Sequence, residues 1–323
     1  MLKLIDPSIQ FLDCNPFLTG PSMPKTETPP VTCTVCKDTG YALSNLKGQL
    51  RVHACACFHC DKCEGEGKVF SENEKGIAYL ADCECKALKK KWQVVEDAGI
   101  PGKFVDADFE SFIKHHRSQG IAKRVAEDFA QDLINSKKDF NRGLIFMGAP
   151  GLGKTHLAIA IIKQLGFEQG IPCRFVDFFQ LLADIRHGYS EDMSDQVIIK
   201  PYLDARVLVI DELAKGRNTE WELTVLDQLI SSRYNSADKV TIFTTNYPSE
   251  MRIEIKEAKG FYKDKDGPEK DYADSYMRES LQEKIGARIY SRLAEMCKFV
   301  MIEGQDLRQK SLSASQRYPR NKR

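Results

Sequence analysis

Residues 148–155 read GAPGLGKT, a GxxxxGK[ST] run set between an apolar stretch, LIFM (Leu144–Met147), and a helix former, THLAIAIIKQL (Thr155–Leu165). Nothing else in the chain narrows the fold as much, because such a run works only where a strand enters the glycines and a helix leaves them. Gly148, Gly151 and Gly153 let backbone N–H groups turn inward around an anion. The helix directs the positive end of its dipole at the same point. The pattern predicts a triphosphate cradle in which Lys154 reaches the β- and γ-phosphates and the Thr155 hydroxyl holds Mg²⁺.

The partners of such a loop follow it. VLVIDE (Val207–Glu212) is a β-branched run that ends in two acids, as a buried parallel strand does. Asp211 is placed for the Mg²⁺ shell, and Glu212 for orienting or deprotonating an attacking water; an exposed acidic turn is the alternative. VTIFTTN (Val240–Asn246) reads as a further strand. Its last residue, Asn246, either contacts the γ-phosphate or caps the next helix. GARIYSRL (Gly286–Leu293) puts Arg288 and Arg292 on one helix face. There they are surface charges, or one of them reaches a neighbouring subunit's ATP. A last strand in KFVMIEGQDLR leads to Arg308.

The chain has 323 residues, enough for two domains. Its net charge of +1 gives no global attraction to polyanions, so any nucleic-acid contact must be local. No apolar run approaches the roughly 18 residues of a membrane span, and the N-terminus lacks a signal-peptide core; a cytoplasmic location and no membrane partner are expected. Of the 11 cysteines, all but Cys14, Cys173 and Cys297 fall in a repeat. CTVCKDTGYALSNLKGQLRVHACAC spans Cys33 to Cys57, and CDKCEGEGKVFSENEKGIAYLADCEC spans Cys60 to Cys85. Each copy reads CxxC, a glycine turn, two short strands about a second turn, then CxC. That plan predicts a β-hairpin that gathers four thiolates into a closed tetrahedral Zn²⁺ site, two ions in all. One assignment uses Cys33, Cys36, Cys55 and Cys57 in one site and Cys60, Cys63, Cys83 and Cys85 in the other. An interleaved one joins Cys33 and Cys36 with Cys83 and Cys85, and Cys55 and Cys57 with Cys60 and Cys63. So small a segment has little core, and metal would supply much of its stability. His53 and His59 read as exposed loop residues, and the isolated cysteines as small apolar residues.

Taken together, GIPGKFVDADFESF, GAPGLGKTHLA, VLVIDELAKGRNTEWE, TTN, GARIYSRL and EGQDLR resemble the AAA+ superfamily, and within it the DnaC/DnaI/IstB group of helicase-loader and transposition-helper ATPases. The resemblance covers about residues 100–308. It implies an α/β fold, with a five-stranded parallel sheet between helices and little or no helical lid, preceded by a small zinc-bound hairpin domain. It also implies Lys154 and Thr155 as the Walker A pair, Asp211 and Glu212 as the Walker B acids and Asn246 as sensor 1. Arg288 becomes an arginine finger acting in trans, and Arg308 the sensor 2 arginine. CKDTGY, a CxC and the basic stretch Lys86–Lys91 are similar to the zinc-binding N-terminal region of DnaI-type loaders, which contacts the replicative helicase. The chain departs from that pattern in carrying two copies, of which CDKCEGEG matches the CxxCxGxG module of DnaJ-type chaperones.

The expected layout is an irregular lead-in (1–30), a cysteine domain (31–90), a connector (91–118), an ATPase domain (119–308) and a basic tail (309–323), with a solvated charged stretch at 255–284. The function implied is an ATP hydrolase that self-associates head to tail, holds single-stranded DNA and delivers a hexameric replicative helicase. Lys215 and Arg217 are candidates for phosphates, and Trp221 and Tyr189 for base stacking; Trp221 also fits a core position of an amphipathic helix. An IstB-like regulator of transposition and a chaperone-like zinc module are the alternatives.

Overall fold

The structure is a computed structural model that describes residues 33–135, 142–236, 238–249 and 279–306. The lead-in 1–30 with Cys14, most of the 255–284 stretch, Arg308 and the tail 309–323 lie outside these residues.

The centre is a five-stranded sheet in the order β6-β7-β8-β5-β9. Its strands are β5 (Gly143–Met147), β6 (Cys173–Asp177), β7 (Val207–Asp211), β8 (Val240–Thr245) and β9 (Cys297–Met301). All neighbours are parallel. A parallel sheet is covered on both faces, and the strand residues divide accordingly. Leu144, Phe146, Val207, Val209 and Ile242 enter one core with α2 (Arg117–Asn135) and α3 (Lys154–Gln169). Ile145, Met147, Leu208, Ile210 and Phe243 enter the other. That second core is closed by α4 (Phe178–Ser190), α5 (Asp195–Asp204), α6 (Glu220–Tyr234), α7 (Leu281–Ile285) and α8 (Ala287–Met296). Cys173 and Cys297 are buried, one in each core.

Local chemistry fixes where these helices begin. Thr219 and Glu222 form a capping box at α6, Ser280 and Glu283 another at α7, and Asp177 caps α4 through the N–H groups of Phe179 and Gln180. One buried cation ties the frame. Arg233 on α6 donates to the Thr241 hydroxyl (2.7 Å) and to the carbonyls of Tyr202 (2.9 Å), Ala205 (2.9 Å) and Val240 (2.6 Å). Burial lowers its pKa to about 10. No helix among the described residues is long and apolar enough to cross a membrane.

Ahead of the sheet lie two antiparallel hairpins. The first pairs β1 (Tyr41–Leu46) with β2 (Gln49–Ala54). Its two-residue turn, Lys47–Gly48, has φ of 51° and 81°, the positive pair that a tight hairpin favours. The second pairs β3 (Lys68–Glu72) with β4 (Ala78–Asp82) across a loop folded around the Asn73 side chain. Helix α1 (Glu84–Asp97) then runs unbroken through residue 90, where the cysteine segment was expected to give way to a connector.

Candidate functional site

In an open parallel sheet, ligands collect beyond the carboxyl ends of the strands where the chain reverses its direction of travel. Here the chain leaves β5 for the far edge at β6 and returns through β7 and β8 to β5's side. The glycine loop follows β5, the two acids end β7, and the threonines end β8, so the topology alone collects the residues the sequence singled out.

Gly148 opens the loop, and two later glycines are required by contact. At Gly151 (φ +80°) a side chain would run into the carboxylate of Asp306. At Gly153 (φ +89°) it would lie 2.5 Å from the Phe112 ring. Phe112 belongs to the stretch before α2 and also meets His156 edge-on, with ring centres 5.3 Å apart. The residues ahead of α2 therefore form one wall of the loop. Lys154 is buried, and its ammonium donates to the carbonyls of Gly148 (2.7 Å) and Ala149 (2.8 Å), which fixes it over the loop.

Behind the loop, the Thr155 hydroxyl donates to Asp211 Oδ1 at 2.8 Å. The Thr244 hydroxyl donates to the same oxygen at 2.5 Å and accepts from the Glu212 N–H at 3.0 Å. Burial pushes the Asp211 carboxyl up, and these two hydroxyl hydrogen bonds oppose it. Neighbouring oxygens around octahedral Mg²⁺ are about 2.9 Å apart, so the Thr155 and Asp211 oxygens, 2.8 Å apart, fit one shell. Glu212 has φ of 55°, a left-handed backbone that costs about 1–3 kcal/mol for such a residue. The Thr244 bond to its N–H helps to hold that turn. Its half-exposed carboxylate is ion-paired with Lys215. Asn246 follows β8 at the same end of the sheet and is half-buried.

The two arginines of α8 differ. Arg292 is fastened to Asp227 (2.5 Å) and Ser231 (2.6 Å) on α6. Arg288 is 3.3 Å from Asp227, and its side chain is 74% exposed. Among the expected DNA contacts, Arg217 is exposed, whereas Lys215 is engaged by Glu212. Trp221 is half-buried against the second core, with the Arg186 guanidinium 4.6 Å over its ring and Tyr189 edge-on at 6.4 Å. That packing accords with a core position on an amphipathic helix.

The thiols gather copy by copy. Cys33, Cys36, Cys55 and Cys57 form one cluster and Cys60, Cys63, Cys83 and Cys85 the other, with all ligand atoms of a cluster within 4.8 Å of one another. Sulfurs about 2.3 Å from a tetrahedral zinc are roughly 3.8 Å apart. The pairs that join CxxC to CxC run from 3.2 Å (Cys36–Cys57) to 3.8 Å (Cys33–Cys55), and the other separations within a cluster stay within 4.8 Å. Both donor sets fit Zn²⁺, and the interleaved assignment is not what the hairpins bring together. His53 hydrogen-bonds Ser44, and His59 lies 3.6 Å from Asp61; neither joins a cluster.

Sequence reasoning missed Thr244, Asp306 and Arg186. The TTN run flagged the first, but its attention went to Asn246. The other two fall within flagged stretches, Arg186 beside Tyr189 and Asp306 in EGQDLR, but neither residue is itself singled out.

Set beside known proteins, residues 98–253 match the family model described as IstB-like ATP binding protein. The uncharacterized protein YqaM of Bacillus subtilis is 25% identical over 256 residues, 71% of this chain and 77% of its own length. The replicative helicase loader DnaC of Escherichia coli is 22% identical over 217 residues, 67% of this chain and 85% of its own. A crystal structure of the DnaC helicase loader is 27% identical, covers 62% of this chain and 99% of that one, and superposes with a TM-score of 0.49.

Proposed function

We propose that this chain, whose core is an ATP-binding domain of the DnaC/IstB group of AAA+ ATPases, hydrolyses ATP in order to deliver a replicative hexameric helicase to single-stranded DNA. Its likeness to DnaC supports a helicase-loader-type ATPase. The observation that carries hydrolysis is the link from Thr155 through Asp211 to Thr244 and Glu212, which joins the glycine loop to both acids.

In this reading Gly148, Gly151 and Gly153 leave room for the phosphates, and Lys154 turns from its loop carbonyls to the β- and γ-oxygens. Thr155 and Asp211 hold Mg²⁺, which neutralises charge on the phosphates when bound. Thr244 fixes the backbone of Glu212, whose carboxylate orients the attacking water. Asn246 lies within the same strand end to contact the γ-phosphate or that water. Arg288, exposed where Arg292 is fastened, reaches the site of an adjoining subunit in a head-to-tail assembly, and Arg308 completes the site from its own chain. The eight cysteines hold two structural Zn²⁺ ions. Lys215 and Arg217 meet DNA phosphates, and Tyr189 and Trp221 meet bases, with Arg186 at the edge of that patch. Because Lys215 is also the ion-pair partner of Glu212, a phosphate that draws Lys215 away frees the carboxylate for water. DNA binding thereby promotes turnover.

The test is an ATPase titration with and without single-stranded DNA. Specific activity is expected to rise with protein concentration, to fall on the order of 100-fold or more in Lys154→Ala, and to lose its DNA stimulation in Lys215→Ala through a raised basal rate. Lys154→Ala protein that binds and cleaves ATP like the parent would refute hydrolysis at this loop. The IstB-like family match favours a second reading, regulation of transposition. Co-purification with a transposase in place of a helicase would select it.

A further inference from the structure

A cleft of about 780 Å³ opens between the first hairpin, the stretch before α2, and helices α2 and α3. Part of its lining is apolar. Tyr41 stacks on Phe167 there, with Leu43 and Ala160 also in the wall. The rest is acidic, with Asp108, Glu110, Glu127, Asp128 and Glu168 against Lys37 and Lys163. Lys163 is buried, and its ammonium donates to the Val105 carbonyl at 2.9 Å, which leaves Lys37 as the exposed base of the lining. Glu110 and Asp128 are exposed, and no ion pair among the described residues engages either.

Aromatic rings with carboxylates around them suit a segment that carries an aromatic side chain between cations. The stretch 309–323 has that composition. It holds five bases and no acid, and Arg317-Tyr318-Pro319-Arg320 sets a tyrosine between two arginines. A planar guanidinium matches a carboxylate in a way that a lysine does not.

The chain also enters that stretch from a suitable place. Glu303 is bonded to the first turn of α2, where its N–H donates to the Ser118 hydroxyl at 2.8 Å and its carbonyl accepts from it at 3.0 Å. Asp128 stands ten residues further along the same helix, about 15 Å away. Arg317 follows Asp306 by 11 residues, and an extended segment of that length spans up to roughly 36 Å. The reach is ample. Exposed ion pairs are individually weak. An occupant tethered to the same chain is held near the cleft at a high effective concentration, an advantage that a free peptide lacks.

We infer that residues 317–320 seat in this cleft of their own chain, with Tyr318 against Tyr41 and Phe167 and the two arginines on Glu110 and Asp128. Seated there, the segment straps the first hairpin to α2 and α3, and its arginines are withheld from nucleic acid.

The experiment uses the full-length protein with the photocrosslinking substitution Tyr318→benzoylphenylalanine, irradiated at low protein concentration, with adducts mapped by mass spectrometry. Neither ATP hydrolysis nor a helicase enters the readout, so the result does not depend on the loader reading. Adducts are expected within one chain, on residues 37–43, 108–110, 127–131 or 160–168. Adding Glu110→Arg/Asp128→Arg is expected to cut their yield at least fivefold, and further adding Arg317→Glu/Arg320→Glu to restore at least half of it. Thermal midpoints show that each variant is folded. Adducts elsewhere in the chain, or a yield indifferent to the charge reversal, would overturn the inference. Adducts that join two chains would assign the cleft to a second copy, and adducts formed only with added single-stranded DNA would assign residues 317–320 to nucleic acid; either result also overturns it.

Discussion

The two hairpins share a plan of thiols, turns and strands and differ in what keeps each of them folded. The first is built into its host. Tyr41 stacks on Phe167 of α3 at 4.2 Å and Phe58 meets Trp92 of α1 edge-on at 5.0 Å. The backbone closes further bonds, Leu50 N–H to Ile100 O at 2.9 Å and Gly102 N–H to Gly48 O at 2.8 Å. Leu50 is buried in the core that lies on one face of the parallel sheet. The second hairpin buries little except its own cysteines, with Phe58 and Val69 beside them. A unit this small cannot bury enough apolar surface to fold by itself. One copy borrows its core from the parallel-sheet domain, and the other has only its thiolate cluster. Duplication has given a brace and a free arm from one motif.

Metal removal tests that contrast most strongly. With a chelator, amide exchange over residues 68–82 is expected to speed up by on the order of 100-fold or more, since metal held by the thiols would supply most of that hairpin's stability. Residues 41–54 should stay far better protected, held by their packing. Equal loss of protection in both would break the comparison. Next in size are truncations within each copy. Leu50→Ala should cost about 2–4 kcal/mol and lower the thermal midpoint of the parallel-sheet domain. Phe70→Ala should stay within about 0.5 kcal/mol, as exposed positions do. An effect of the same small size is expected for Arg51→Ala, which loses a partly exposed pair with Glu96 worth about 0.5 kcal/mol in a double-mutant cycle.

The smallest signal sharpens the picture of the docked copy. Burial, with a lesser contribution from the Asp108 charge, pushes the Tyr41 phenol up to about 12. A raised pKa in the folded protein means that the neutral phenol is favoured there. Its stabilising effect is whole below the ordinary tyrosine value near 10 and is lost as pH climbs through about 12. Absorbance titration of the parent against Tyr41→Phe should show one tyrosine ionising late; a difference spectrum centred near pH 10 would mean that the first hairpin is not seated.

Much of the architecture was legible because the chemistry is local. GAPGLGKT, VLVIDE and VTIFTT each carry their strand or turn in consecutive residues, and all three lie where their patterns place them. The repeat of CxxC and CxC fixed two hairpins but left the grouping of thiols open, since sequence spacing does not say whether a hairpin closes on itself. What stayed hidden depends on distance through space. Thr244 binds Asp211 across 33 positions of chain, and Asp306 meets Gly151 from the far end of the domain. Lys215 reads as a free cation until its ion pair with Glu212 is seen. The unequal fates of the hairpins are hidden too, because Leu43 and Phe70 look alike until the surface beneath one of them exists.

Helix α3 has 16 residues and is therefore about 24 Å long. Lys154 stands at its start, and near its end Gly166 leaves room for Val95 while Phe167 carries Tyr41. The rod that begins at the glycine loop thus ends as the seat of the first hairpin, so one helix sets the spacing between the two.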